Sequence, residues 1–146
     1  MNLNEVYSEV IREHNLSHHN KHPLEQPTVE VPGRNPSCGD DIQLFVKMKD
    51  GVIDDASYTG SGCAISQASV SIMIDLVRGK TIKEAKELCD LFLKMIRTGD
   101  LSTEEQKKMD DAMALSNVST MPARVKCATM PWHTLQAALD AVEKPS

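Results

Sequence analysis

Apolar residues recur at spacings near three and four from Glu5 to Leu16, with Val6, Val10 and Ile11 on one side and Leu3 and Tyr7 nearby, which predicts a helix. Polar residues and Pro23 then mark Ser17 to Gln26 as a loop. Thr28 to Val31 reads as a short strand ended by Pro32-Gly33. From Asp41 to Lys49 the period drops to two. Ile42, Leu44, Val46 and Met48 share one face, and Gln43, Phe45, Lys47 and Lys49 the other. Asp50-Gly51 is a hairpin turn signal, because both central positions must accept positive φ. Val52 to Thr59 returns as the partner strand, and Gly60-Ser61-Gly62 breaks it.

The helical period resumes near Cys63 and runs through Ile65, Ala68, Ile72, Met73 and Leu76 until Gly79 stops it. Thr81 and Glu84 have capping-box spacing, and the helix they open continues past Leu88, Leu91, Phe92 and Met95 to about Thr98, with Gly99 as its cap. Leu101 to Asp110 is charged and partly helical from Ser102. A shorter helix follows near Met113 and Leu115. Pro122 opens the last helical region, and Trp132 to Val142 closes the chain. A hairpin followed by helices implies an α+β layer architecture.

At 146 residues the chain is expected to form one domain spanning 1–146. Only 3% of residues are aromatic, so the core must be built from aliphatic residues and the eight Met. The net charge of −5 argues against nucleic acid as a partner. No apolar run reaches the length of a membrane span, and the start lacks a basic region followed by an apolar stretch. With no export signal, the four cysteines are expected as thiols in a reducing cytoplasm.

Three of those cysteines sit at loop-to-element junctions, after Gly, Pro or basic residues. The turn at Asp50-Gly51 lies midway between Cys38 and Cys63, so a hairpin in register makes those two neighbours. Asp40 reaches the same point. Cys63 opens a helix, where unpaired N–H groups favour thiolate. Cys127 has Arg124 and Lys126 beside it and is expected to precede another helix. Cys38, Asp40, Cys63 and Cys127 form an S3O donor set that suits a tetrahedral zinc or iron centre. Its formal charge of about −2 with a divalent zinc calls for compensation by Arg124 and Lys126. Cys89 lies between Leu88 and Leu91 with no such cue and reads as core. His14, His18, His19 and His22 lack an H-E-x-x-H pattern and read as surface or cap residues. His133 reads as an exposed helix-start residue, and Trp132 as a core anchor.

The segments Asn35-Pro36-Ser37-Cys38-Gly39-Asp40, Gly60-Ser61-Gly62-Cys63-Ala64-Ile65-Ser66 and Pro122-Ala123-Arg124-Val125-Lys126-Cys127-Ala128-Thr129 together resemble the U-type iron–sulfur cluster assembly proteins, specifically their SufU branch. IscU-type scaffolds of the same family carry His before the third cysteine and a Pro-Pro-Val-Lys motif upstream. Here Lys126 and Thr120-Met121-Pro122-Ala123-Arg124 stand in those places. The stretch from Gly99 to Asp110 is the natural place for the longer segment between Cys63 and Cys127. In the first helix, Glu13-His14-Asn15-Leu16-Ser17-His18-His19-Asn20 matches only in part the Asp-His-Tyr-Lys-Asn-Pro-Arg-Asn-like run of that branch.

The resemblance implies a three-stranded antiparallel sheet packed by helices, with the metal site at one tip. It implies a zinc-dependent sulfurtransferase of the SUF system, taking persulfide sulfur from a pyridoxal-phosphate cysteine desulfurase and passing it to a downstream SUF scaffold or apo-proteins. A histidine of the desulfurase would replace one zinc-bound thiolate. Carried onto this chain, Cys38 becomes the sulfur acceptor, Arg124 assists it, and Cys63, Cys127 and Asp40 keep the metal. The alternative is a scaffold that assembles a [2Fe–2S] cluster on the same four residues.

Overall fold

The computed structural model describes residues 3–143. The side chains of residues 3–7, and with them the predicted apolar positions Leu3, Val6 and Tyr7, lie outside the described residues. Helix α1 (Leu3–Ser17) is followed by three strands, β1 (Val29–Asn35), β2 (Asp40–Lys49) and β3 (Val52–Ser61). Helices α2 (Ala64–Val77), α3 (Ile82–Thr98) and α4 (Thr103–Met109) come next, then a 3-10 segment (Asp110–Thr120) and α5 (Pro122–Glu143). The strands form one antiparallel sheet in the order β1-β2-β3. This is the α+β architecture that the hydrophobic pattern and the resemblance predicted.

The β2–β3 hairpin turns at Asp50 and Gly51, with φ of 53° and 81°, as a two-residue turn with both φ positive requires. Ile42, Leu44 and Val46 are buried on one face of β2 and continue across the sheet into Ala56 and Tyr58, the partners of Val46 and Leu44. Helices α2 and α5 pack against the sheet. Where α3 meets α5, Phe92 stacks on Trp132 at 4.2 Å between ring centroids, and the indole Nε1–H donates to Ser69 Oγ at 3.0 Å. The capping boxes Thr81–Glu84 and Ser102–Glu105 both form, so the polar signals that opened α3 and α4 in the sequence act as expected.

The predicted boundaries shift in three places. Strand β1 runs through Pro32-Gly33 to Asn35, because β1 is an edge strand and a proline there removes no essential ladder bond. Strand β3 likewise continues past Gly60 to Ser61, which pairs with Asp41. Helix α5 is continuous from Pro122, so Cys127 lies inside it rather than ahead of a helix. Pro131 lies inside it and offers no N–H to the carbonyl of Cys127 four residues back. Burial of Trp132, Leu135 and Leu139 holds the helix through it.

Cys89 is fully buried in the core, as expected. Burial, with the charge of Asp90 adding to it, pushes its thiol from 9.0 up to about 12. The folded state thus favours the protonated thiol. Stability is full below the unfolded value near 9 and declines as pH rises from there toward 12, by on the order of 1.4 kcal/mol per unit. Denaturation midpoints measured below and well above pH 9 should fall less for Cys89→Ala than for the unaltered chain. Parallel falls would remove Cys89 as the source.

Candidate metal centre

The sheet register brings the motif residues to one edge. Asn35 pairs with Asp40 across the β1–β2 turn, and Asp41 pairs with Ser61, so Cys38 in the turn and Cys63 after β3 share one end of the sheet. Helix α5 brings Cys127 to the same end. The Cys38 and Cys127 sulfurs are 2.9 Å apart, and all four cysteines of the chain are free thiols. Cys38, Asp40 and Cys127 each place one ligand atom within 4.8 Å of the others. Cys63 stands outside that triple, but its thiol is near enough to push the Cys127 thiol upward.

Cys63 is the N-cap of α2, its sulfur accepting from the Ser66 N–H at 3.5 Å. Cys127 is fully buried, while Cys38 and Cys63 are partly exposed. The Asp40 carboxylate is only 2% exposed. Its Oδ1 accepts from the Cys63 N–H at 2.9 Å and from Ser66 Oγ at 3.0 Å, and its Oδ2 from Asn35 Nδ2 at 3.2 Å. Glycine at 62 is needed beside this carboxylate, since a Cβ there would lie 2.5 Å from Asp40 Oδ1 and 2.6 Å from Ser66 Oγ.

The electrostatics fit a bound cation. Burial pushes the Cys127 thiol well above its ordinary value, and the Cys38 and Cys63 thiols and the Asp40 charge push the same way. A thiolate at that position therefore needs a positive partner. Of the two basic neighbours, Arg124 answers: its guanidinium lies beside the Cys127 sulfur and near those of Cys63 and Cys38, and their negative charge raises its own pKa. Arg124 is exposed, so one solvated charge stands against three thiols and a buried carboxylate. Thiolate sulfur with one carboxylate oxygen is a donor chemistry suited to zinc or iron. Cys38, Asp40, Cys63 and Cys127 are the residues that could hold it.

The family described as the NifU-like N terminal domain matches residues 6–128, which include all four of these positions. The chain belongs to this family. The iron–sulfur cluster assembly scaffold protein IscU of Thermotoga maritima is 37% identical over 140 residues, covering 96% of each chain. The zinc-dependent sulfurtransferase SufU of Bacillus subtilis is also 37% identical, over 92% of this chain and 90% of its own. A solved structure from Fervidobacterium islandicum, described as an iron–sulfur cluster assembly scaffold protein for the SUF system, superposes with a TM-score of 0.82 at 32% identity. It covers 94% of this chain and 99% of that one.

Two site residues of this NifU-like domain escaped the sequence reading. Asn35 is buried and bridges Asp40 to Cys127, donating to the Cys127 sulfur at 3.6 Å as well as to the carboxylate. Ser66 is buried one turn into α2 and anchors the other carboxylate oxygen. Both stand inside the quoted motifs, three residues from a cysteine, yet an Asn or Ser near a turn is too common to single out without its partners. His133 is exposed and pairs with Gln136 on its own helix. His14 departs from its expected surface role: it is buried, with Nδ1 2.7 Å from Ser71 Oγ.

Proposed function

We propose that this chain is a zinc-dependent sulfur acceptor of an iron–sulfur cluster assembly system, taking persulfide sulfur from a cysteine desulfurase at Cys38. One observation carries the reading: a partly exposed turn thiol sits against a buried thiol and a buried, fully anchored carboxylate. Cys38, Asp40, Cys63 and Cys127 would hold the metal, which when bound keeps its coordinating thiols deprotonated at neutral pH.

The three thiols differ in how firmly they are held. Cys127 is fixed in α5 and hydrogen-bonded by Asn35, and Cys63 is fixed as the cap of α2. Cys38 lies on the Pro36–Gly39 turn, its sulfur 2.9 Å from Cys127 Sγ and a long 3.9 Å from the Ala123 carbonyl. It is the thiol that can move toward an incoming partner. Cys38 thiolate attacks the outer sulfur of the desulfurase persulfide. A new S–S bond forms on Cys38, the old one breaks, and the desulfurase cysteine leaves as thiolate, with no external oxidant or reductant. The Arg124 guanidinium, exposed beside the thiols, offsets the negative charge that gathers as two sulfur anions approach.

The deciding experiment follows alanine release by the desulfurase under reductant, with and without the zinc-loaded protein. Stimulation that disappears on zinc removal supports the sulfur-acceptor reading. Absence of stimulation from an active desulfurase overturns it. A visible cluster that forms anaerobically and passes to an apo-ferredoxin would then favour the scaffold function carried in the name of the Thermotoga relative.

A further inference from the structure

A second set of donor side chains meets at the far end of α2, where α1, the loop after it and the 3-10 segment come together. Asp75 lies twelve residues past Cys63, about 18 Å along the helix at 1.5 Å per residue, so this set is separate from the thiols. His14, in the last turn of α1, has Nε2 3.9 Å from Asp75 Oδ2 and 3.8 Å from Asp111 Oδ2. His19 has Nε2 3.0 Å from Asp75 Oδ2 and 3.2 Å from Oδ1. His14, His19 and Asp75 each bring one ligand atom within 4.8 Å of the others.

We infer that His14 Nε2, His19 Nε2, Asp75 Oδ2 and Asp111 Oδ2 form a second divalent-metal site, of the N2O2 kind that takes zinc. The first support is orientation. Both histidines commit Nδ1 to a hydroxyl, His14 to Ser71 Oγ at 2.7 Å and His19 to Ser17 Oγ at 2.6 Å. That is the outer-shell contact which fixes a ligating imidazole and turns its Nε2 toward a metal. The second is spacing. Bonds of about 2.0–2.2 Å in a tetrahedron put ligand atoms roughly 3.3–3.6 Å apart. His19 to Asp75 at 3.0 Å and His14 to Asp75 at 3.9 Å bracket that range, whereas Asp111, 3.8 Å from His14 Nε2 and outside the 4.8 Å cluster, would swing in from its exposed position as the fourth donor.

The third support is that both Nε2 atoms face carboxylate oxygen, His19 Nε2 at 3.0 Å from Asp75 Oδ2. His14 Nε2, in a buried ring, faces two carboxylates beyond hydrogen-bond reach. A divalent ion takes both lone pairs. Two carboxylates neutralise it, so the site closes without net charge. The other Asp75 oxygen is already held by Asn20 Nδ2 at 2.9 Å and by Arg78 Nη1 at 3.3 Å, which leaves Oδ2 aimed at the histidines. His19, Asp75 and Asp111 are exposed enough for an ion to enter. Bound there, it would clip α1 to α2 and to the 3-10 segment.

Cobalt(II) titrated anaerobically into the full chain separates the two centres. Binding at the thiols gives sulfur-to-metal charge-transfer absorption, whereas an N2O2 site gives only weak ligand-field bands. The expected result is one equivalent of each kind. His19→Ala and Asp111→Asn, both at exposed positions, should each lose the ligand-field equivalent and keep the charge-transfer one. Their metal-free unfolding curves should match that of the unaltered chain. If the unaltered chain takes up no equivalent lacking charge transfer, the second site is refuted. Persistence of that equivalent in His19→Ala refutes it too. Loss of the charge-transfer equivalent alone would strike the thiol centre and leave this one standing.

Discussion

Cys38→Ala should reduce desulfurase stimulation to the level seen without the protein, while the fold stays intact. The residue sits on a turn outside the core, so removing its sulfur opens no buried cavity. Alanine keeps the turn backbone, whose Cys38 N–H bonds the Asn35 carbonyl at 3.2 Å and does not depend on the side chain. What disappears is the nucleophile. Mass spectrometry after a single turnover should find the gain of one sulfur on the unaltered chain and none on the variant. Full stimulation by Cys38→Ala, or a persulfide found on Cys63 or Cys127 instead, would sink the assignment. Arg124→Ala is the useful companion, since it leaves every thiol in place and removes only the charge facing them.

Substitution of Asp40 should affect both the fold and the metal, and two variants separate those effects. Asp40→Ala strands three donors, the Cys63 N–H, Ser66 Oγ and Asn35 Nδ2, in a largely buried site. An unsatisfied buried group costs about 1–3 kcal/mol, so this variant should unfold at clearly lower denaturant concentration. Asp40→Asn keeps one carbonyl oxygen for Cys63 and Ser66 and loses the charge. Its amide N–H2 faces the Asn35 donor, so it should unfold between Asp40→Ala and the unaltered chain, and give up zinc to a chromophoric chelator more readily. Losses of about 10–100-fold in affinity are typical even for residues that only support a ligand. Zinc retention by Asp40→Asn equal to that of the unaltered chain would remove Asp40 from the ligand set and leave it as the brace of the loop.

The sequence announced most of the local structure because each signal lies within a few residues. Thr81 with Glu84 and Ser102 with Glu105 capped their helices as the spacing required. Asp50-Gly51 placed the hairpin, and the alternation of Ile42, Leu44 and Val46 fixed the buried face of β2. The hairpin midpoint even predicted that Cys38 and Cys63 share one end of the sheet. Where the reading missed, a tertiary contact outweighed a local preference. Pro32 sits within β1 because the strand is at an edge, and α5 passes Pro131 because Trp132 and its neighbours are buried.

By itself, then, the sequence determined the α+β order of elements, the three cysteine motifs and the chemistry of their donors. Only the tertiary structure decided that Cys127 is the buried thiol and Cys38 a reachable one, and that Asn35 ties Asp40 to a sulfur 92 positions from it in the chain. It also decided that His14 turns inward to meet Asp75 and Asp111. Periodicity, caps and turns act between neighbours in the chain, whereas burial and convergence depend on how whole elements pack, which no short window of sequence records.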